Sequence, residues 1–145
     1  MEAISSSNVS GLVIGFTIAA SGLRAQAGRM RIISENIANA DSTPSSPGAE
    51  PYRRKMPSFQ TEVDRTLDVQ LVELGKTRID NSEFRLKYEP GHPAADKNGN
   101  VKYPNVNPLL EMTDMREAQR SYEANINVIS ATRRMLQRTI DILKT

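Results

Sequence analysis

No cysteine occurs among the 145 residues. That excludes a disulfide scaffold, a thiolate zinc site and a cysteine nucleophile. There is no tryptophan and one histidine, so the usual transition-metal clusters cannot be assembled. Charge of one sign is also missing. Nineteen Lys and Arg stand against 17 Asp and Glu, a net charge of +2, which gives no strong field toward nucleic acid or anionic lipid. The longest apolar run, Gly11 to Ala20, is about half of a membrane span, and the stretch before it holds Glu2 and no Lys or Arg, unlike a secretory signal. Phosphate loops, dinucleotide fingerprints and nucleophile elbows are absent.

Proline and glycine are unevenly spread. All eight prolines lie between Pro44 and Pro108, and no glycine follows Pro108. This divides the chain into a stub (residues 1–10, read as flexible), an N-terminal helical arm (11–41), an irregular β-rich middle (42–107) and a C-terminal helical arm (108–145). In the last arm, Asn107-Pro108 supplies a cap residue and then Pro at the first helical position. Met115, Ala118, Tyr122, Asn125, Ile129, Thr132, Leu136, Thr139 and Leu143 then recur at steps of three and four, the period of a helix face. Acidic Glu111, Asp114 and Glu117 come early and Arg133, Arg134, Arg138 and Lys144 late, as the helix dipole favours.

The N-terminal arm repeats the pattern with Phe16, Ala20, Leu23, Ala27, Met30, Ser34 and Ile37. Gly15, Ala19, Gly22, Ala25 and Gly28 leave room for a second helix at close range. In the middle, Val69 to Leu74 is β-prone, and Phe84, Leu86 and Tyr88 alternate with charged residues as a half-buried strand does. Asn98-Gly99 is a turn signal ahead of Val101-Lys102-Tyr103. The expected class is therefore mainly α with a small β-rich middle, the two terminal helices paired in a coiled coil. A helix over 108–145 would be ~55 Å long, longer than the roughly 38 Å diameter of a compact chain of this size, so an elongated molecule is expected.

Candidate chemical sites are few. His92, in Pro90-Gly91-His92-Pro93, has no companions for acid–base or metal work and is read as a loop histidine. Asp96 to Asn100 is faintly like a calcium loop, but Gly99 falls at the wrong place and Asn107 stands where a bidentate Glu is needed. Arg53-Arg54-Lys55 is too small a footprint for nucleic acid and is read as a solvated or subunit-facing patch. Asn125 on an apolar seam is a register device or a partly solvated edge. No catalytic, metal or cofactor-binding residue is assigned. Pairing the two arms buries one side of each, so further chains are expected to complete the burial.

Two stretches carry a resemblance. Ile18-Ala-Ala-Ser-Gly-Leu-Arg-Ala-Gln26 running on to Ser34-Glu-Asn-Ile-Ala-Asn-Ala40, and Arg120-Ser-Tyr-Glu-Ala-Asn125 within 115–125, resemble the terminal signatures of bacterial flagellar rod and hook proteins. Pro51-Tyr-Arg-Arg-Lys55, Tyr88-Glu-Pro-Gly-His-Pro93 and Tyr103-Pro-Asn-Val-Asn-Pro108, with the short length, narrow the likeness to a proximal rod subunit. The resemblance implies a non-enzymatic basal-body subunit, exported by the flagellar type III apparatus without a cleaved signal and assembled in the periplasm. Its partners would be copies of itself and other rod proteins, with no nucleic acid and no small-molecule substrate. The implied assembly seam is Phe16, Leu23, Met30 and Ile37 on one arm, and Met115, Tyr122, Asn125, Ile129, Leu136 and Leu143 on the other. The alternative from another class is a coiled-coil export adaptor or chaperone, which would stay in the cytoplasm.

Overall fold

The computed structural model describes residues 2–143; the side chains of residues 2–8 and of Leu143 lie outside that description. Two long helices frame six short strands. Helix α1 spans Glu2–Ala38 and helix α2 spans Pro108–Leu143. Between them lie β1 (Lys55–Met56), β2 (Phe59–Asp64), β3 (Val69–Leu74), β4 (Arg78–Ile79), β5 (Arg85–Tyr88) and β6 (Asn100–Tyr103). The protein is thus mainly α with a small antiparallel region. Helix α1 starts ahead of the Gly11 boundary read from the sequence; Met1 lies outside the described residues.

Among the described residues the strands form three antiparallel ribbons, β1 with β4, β2 with β3, and β5 with β6. The chain turns sharply where its sequence permits. Asp64 Oδ1 accepts from the backbone N–H of Thr66 and Leu67 and closes the β2–β3 turn, with Asp68 at φ 52°. Gly99 sits at φ 78°, and a Cβ there would lie 2.8 Å from the Tyr88 ring, so only glycine fits the turn before β6. Helix α2 opens as its sequence dictates, with Asn107 Oδ1 accepting the Leu109 N–H.

Two compact units divide the chain. One comprises Met1–Gly28, Phe59–Gly75 and Ala118–Thr145; the other comprises Arg29–Ser58 and Lys76–Glu117. Their cores differ in kind. The second buries Ile32, Ile33, Ala40, Ala94, Val101, Pro104 and Val106. Among the described residues the first buries only small or polar side chains, Ala19, Ser21, Ala25, Ala118 and Thr132, while its larger apolar residues stay at least partly exposed.

One strand departs from expectation. Leu86 and Tyr88 were expected on the covered face of a strand, yet they are 65% and 70% exposed. Their charged neighbours are exposed as well, with the Arg85 and Lys87 side chains 47% and 66% exposed. Arg85 donates to the carbonyls of Pro104 and Ala40, and Lys87 lies over the Tyr103 ring. Backbone carbonyls and an aromatic face thus hold the two cations, and no second layer covers the apolar pair.

Candidate assembly interface

On α2 the apolar seam and the covered face coincide. Ala118 and Thr132 are buried, and Met115, Tyr122, Asn125, Ile129, Leu136 and Thr139 are half-buried. The side chain of Leu143 lies outside the described residues, as does Lys144, expected to close the basic end. On α1 the covered face is rotated from the seam of Phe16, Leu23, Met30 and Ile37. It is Ala19, Ala25, Ile32, Ile33 and Asn36 that are buried. Phe16 is 43% exposed, and Leu23, Met30 and Ile37 are half-buried. In the first unit that face is small, Ala19, Ser21 and Ala25 beside Gly22; in the second it carries Ile32, Ile33 and Asn36.

Within each unit, α1 and α2 touch. In the first unit a Cβ at Gly22 would lie 2.9 Å from Asn125 Nδ2, so Asn125 packs where α1 has no side chain. Gly28 serves the hairpin instead, with Leu74 over it. Gln26 is also in this unit, and its Oε1 is buried with no hydrogen-bond partner among the described residues. In the second unit the helices run antiparallel, with Arg29 3.3 Å from Glu117 and Asn36 3.0 Å from Glu111.

The Asn36–Glu111 contact belongs to a buried polar cluster that the sequence reading missed. Asn36 is fully buried and Glu111 is 1% exposed. The Asn36 amide pairs with the main chain of Lys55 as a neighbouring strand would: Lys55 N–H donates to Oδ1 at 2.9 Å, and Nδ2 donates to the Lys55 carbonyl at 2.8 Å. The Tyr52 hydroxyl donates to the same Oδ1. Arg54 Nε donates to Glu111 Oε1 at 2.5 Å, and the guanidinium also lies 3.9 Å from Asp80 and 3.6 Å from Asp114. Lys55 pairs with Glu35, and Arg53 stacks on Phe84 at 4.2 Å. The basic triplet, read as a solvated or subunit-facing patch, is half-buried and paired within the chain. Arg54 meets the buried Glu111 on α2, which needs a cation, while Lys55 and Arg53 pair with the partly exposed Glu35 and the exposed Glu50. The signal was present in the sequence: Glu111 is an acid on the covered face of α2, and Asn36 a polar residue on that of α1.

Electrostatics follow from this packing. Burial, then the Glu35 and Glu111 charges, push the Tyr52 hydroxyl up to about 12. Hydrogen bonds from the Ser82 backbone and hydroxyl hold the Asp80 carboxyl below its usual range. His92 accepts the Ala94 N–H at Nδ1, and Asp96 Oδ1 accepts from the N–H groups of Asn98 and Asn100. Both are turn-closing contacts. No group of acidic or histidine side chains among the described residues is placed to hold a metal.

Comparison with known proteins assigns this architecture. The family described as flagella basal body rod protein matches residues 16–44. That described as flagellar basal body rod FlgEFG protein C-terminal matches residues 97–142. Flagellar basal-body rod protein FlgC of Agrobacterium fabrum is 56% identical over 127 residues, covering 88% of this chain and 91% of the relative. The chain belongs to the FlgC family of flagellar basal-body rod proteins. FlgC of Salmonella typhimurium is 39% identical over 88% of this chain and 94% of its own length. FlgC of Bacillus subtilis is likewise 39% identical, over 88% and 95%. FlgC proteins are structural and non-enzymatic, and this chain is a structural subunit of the flagellar basal body rod.

Proposed function

We propose that this FlgC chain is exported through the flagellar type III apparatus and completes its fold only on joining the periplasmic rod, where its terminal helices pack as a coiled coil against copies of itself and other rod proteins. One observation carries the reading: the first unit leaves its large apolar side chains without cover. Val13, Phe16 and Ile18 on α1, and Ile126, Val128, Met135, Ile140 and Ile142 on α2, are each 40–75% exposed. Helical apolar faces of that extent are covered in an assembly. The segment Val9–Ala38 is long and apolar enough to cross a membrane by length and composition, and 17% of its most apolar window is buried. Arg24, Arg29, Arg31 and Glu35 interrupt it, and Arg29 is paired with Glu117, which favours helices over lipid as its cover.

Subunits that meet through unlike surfaces build an open helical array, and a rod that transmits torque is such an array. The test is complementation of a strain lacking the chain. Leu136→Asp, on the α2 seam, is expected to abolish motility while the chain is still synthesised. Swimming at normal rates would remove Leu136 from the interface.

A further inference from the structure

Two ribbons each leave one edge open, and the two edges match. At the outer edge of β3 the Val72 N–H is taken, donating to Ser21 Oγ on α1. Hydrogen bonds alternate along an antiparallel ladder. Across the β2–β3 register the main-chain groups of Phe59, Thr61 and Val63 therefore point away from β3, and none has a partner among the described residues. In the β5–β6 ribbon, the Glu89 N–H to Gly99 carbonyl bond sets the phase. The groups of Leu86 and Tyr88 then point away from β6 and are likewise unpartnered among the described residues. Open edges of this kind are normally shielded by bulges, proline or a covering element. Here β2 is six residues long without a break, and Phe59, Val63, Leu86 and Tyr88 are all exposed.

We infer that β2 of one copy and β5 of a second copy pair edge to edge and antiparallel, with Val63 opposite Leu86, into a four-stranded intersubunit sheet. The inference rests on the assembly reading above and names one of its contacts. Charge selects both the partner and the register. This alignment sets Glu62 opposite Lys87 and Asp64 opposite Arg85 on one face, with Val63 beside Leu86 on the other. Cross-strand pairs of opposite charge stabilise a ladder and like pairs weaken it. Pairing β2 with a second β2 crowds carboxylates, and β5 with a second β5 crowds cations. Lys87 now pairs with Glu89 at 2.6 Å, and Arg85 with Asp41 at 3.5 Å. Both are exposed pairs of the kind worth little and yield to the new partners, while Arg85 keeps its Nε and Nη2 bonds to the Pro104 and Ala40 carbonyls and offers Nη1 to Asp64. Because the two edges differ, the contact leaves a free edge at each end and propagates.

With no native cysteine, introduced thiols report alone. Chains carrying Glu62→Cys and chains carrying Lys87→Cys would be coexpressed in flagellated cells lacking the native chain and oxidised mildly. Opposed residues of this type lie about 4.5 Å apart at Cα, within disulfide reach. The expected result is a crosslinked dimer at roughly fivefold the yield of Gln60→Cys with Lys87→Cys, the discrimination that about 1 kcal/mol of register preference supports. Glu62→Lys should lower motility and adding Lys87→Glu should restore it. Equal yields in the two registers, closure within a single chain when both cysteines are on it, or failure of the charge swap overturns the pairing. If the variants enter basal bodies uncrosslinked, the pairing alone falls. If the chain is absent from basal bodies, the subunit reading falls with it.

Discussion

Asn36 is the residue on which most else in its unit depends. Its amide uses both ends, accepting from Lys55 N–H and Tyr52 hydroxyl and donating to the Lys55 carbonyl and Glu111. Asn36→Ala strands these groups in a buried place, where each unsatisfied partner costs free energy. A loss of about 3 kcal/mol is expected in denaturant unfolding. Asn36→Asp keeps the shape but sets a second carboxylate beside Glu111, and it should destabilise as well; wild-type stability in both would remove the cluster from the fold's support. Tyr52 adds a pH signature. Its hydroxyl is pushed from the usual value near 10 to about 12, so the folded state favours the protonated phenol. Its contribution to stability is complete below about pH 10 and is lost as pH rises toward 12. In an ultraviolet titration of phenolate absorbance Tyr52 should ionise late, and Tyr52→Phe should remove its share of the late absorbance, leaving that of Tyr103, which the Glu89 hydrogen bond also raises.

At the scale of the element, periodicity told more about α2 than about α1. The steps of three and four in α2 pick out the half-buried face from Met115 to Thr139, because large apolar residues and burial coincide there. In α1 they do not coincide. In the first unit the part of α1 that packs is Ala19, Ser21, Gly22 and Ala25, which a hydrophobicity pattern reads as blank, and in the second the buried Ile32 and Ile33 fall off the spacing that runs through Phe16 and Met30. The polar cluster was legible only in part: Asn36 and Glu111 stand out as polar residues on helix faces, but their partners Arg54 and Tyr52 reach them only through the fold. The β5 alternation marks no covered face, because all four residues are exposed and the cations lie along carbonyls and a ring instead of in water alone. The α2 seam supports a paired test. Met135 is 54% exposed, so Met135→Asp should change the stability of the isolated chain by no more than about 0.5 kcal/mol. Its half-buried neighbour Leu136→Asp should cost roughly 2 kcal/mol. If both faces are used in assembly, both variants impair motility despite that difference; a motile Met135→Asp strain would confine the interface to the seam.

Across the whole molecule the two units differ in what they can hold alone. Burying an Ile or Val side chain is worth roughly 1.5–3 kcal/mol, and the unit of Arg29–Ser58 and Lys76–Glu117 buries several beside its polar cluster. Among its described residues the other unit has no such anchor, and its buried Ala, Ser and Thr supply little against the entropy of ordering two long helical segments. The division runs through both helices, so each is expected to have one firm end and one conditional end. Hydrogen exchange resolves this, because local opening free energies are read segment by segment. In the dilute chain, amides of 29–38 and 108–117 should be protected, while those of 9–28 and 118–143 exchange fast. Raising the concentration or adding partner subunits should slow the second set and leave the first almost unchanged. Uniform protection along both helices at every dilution would mean that the fold is complete without neighbours. Assembly would then join finished surfaces, and the exposed apolar residues from Val13 to Ile18 and from Ile126 to Ile142 would have to be tolerated by the free chain in water.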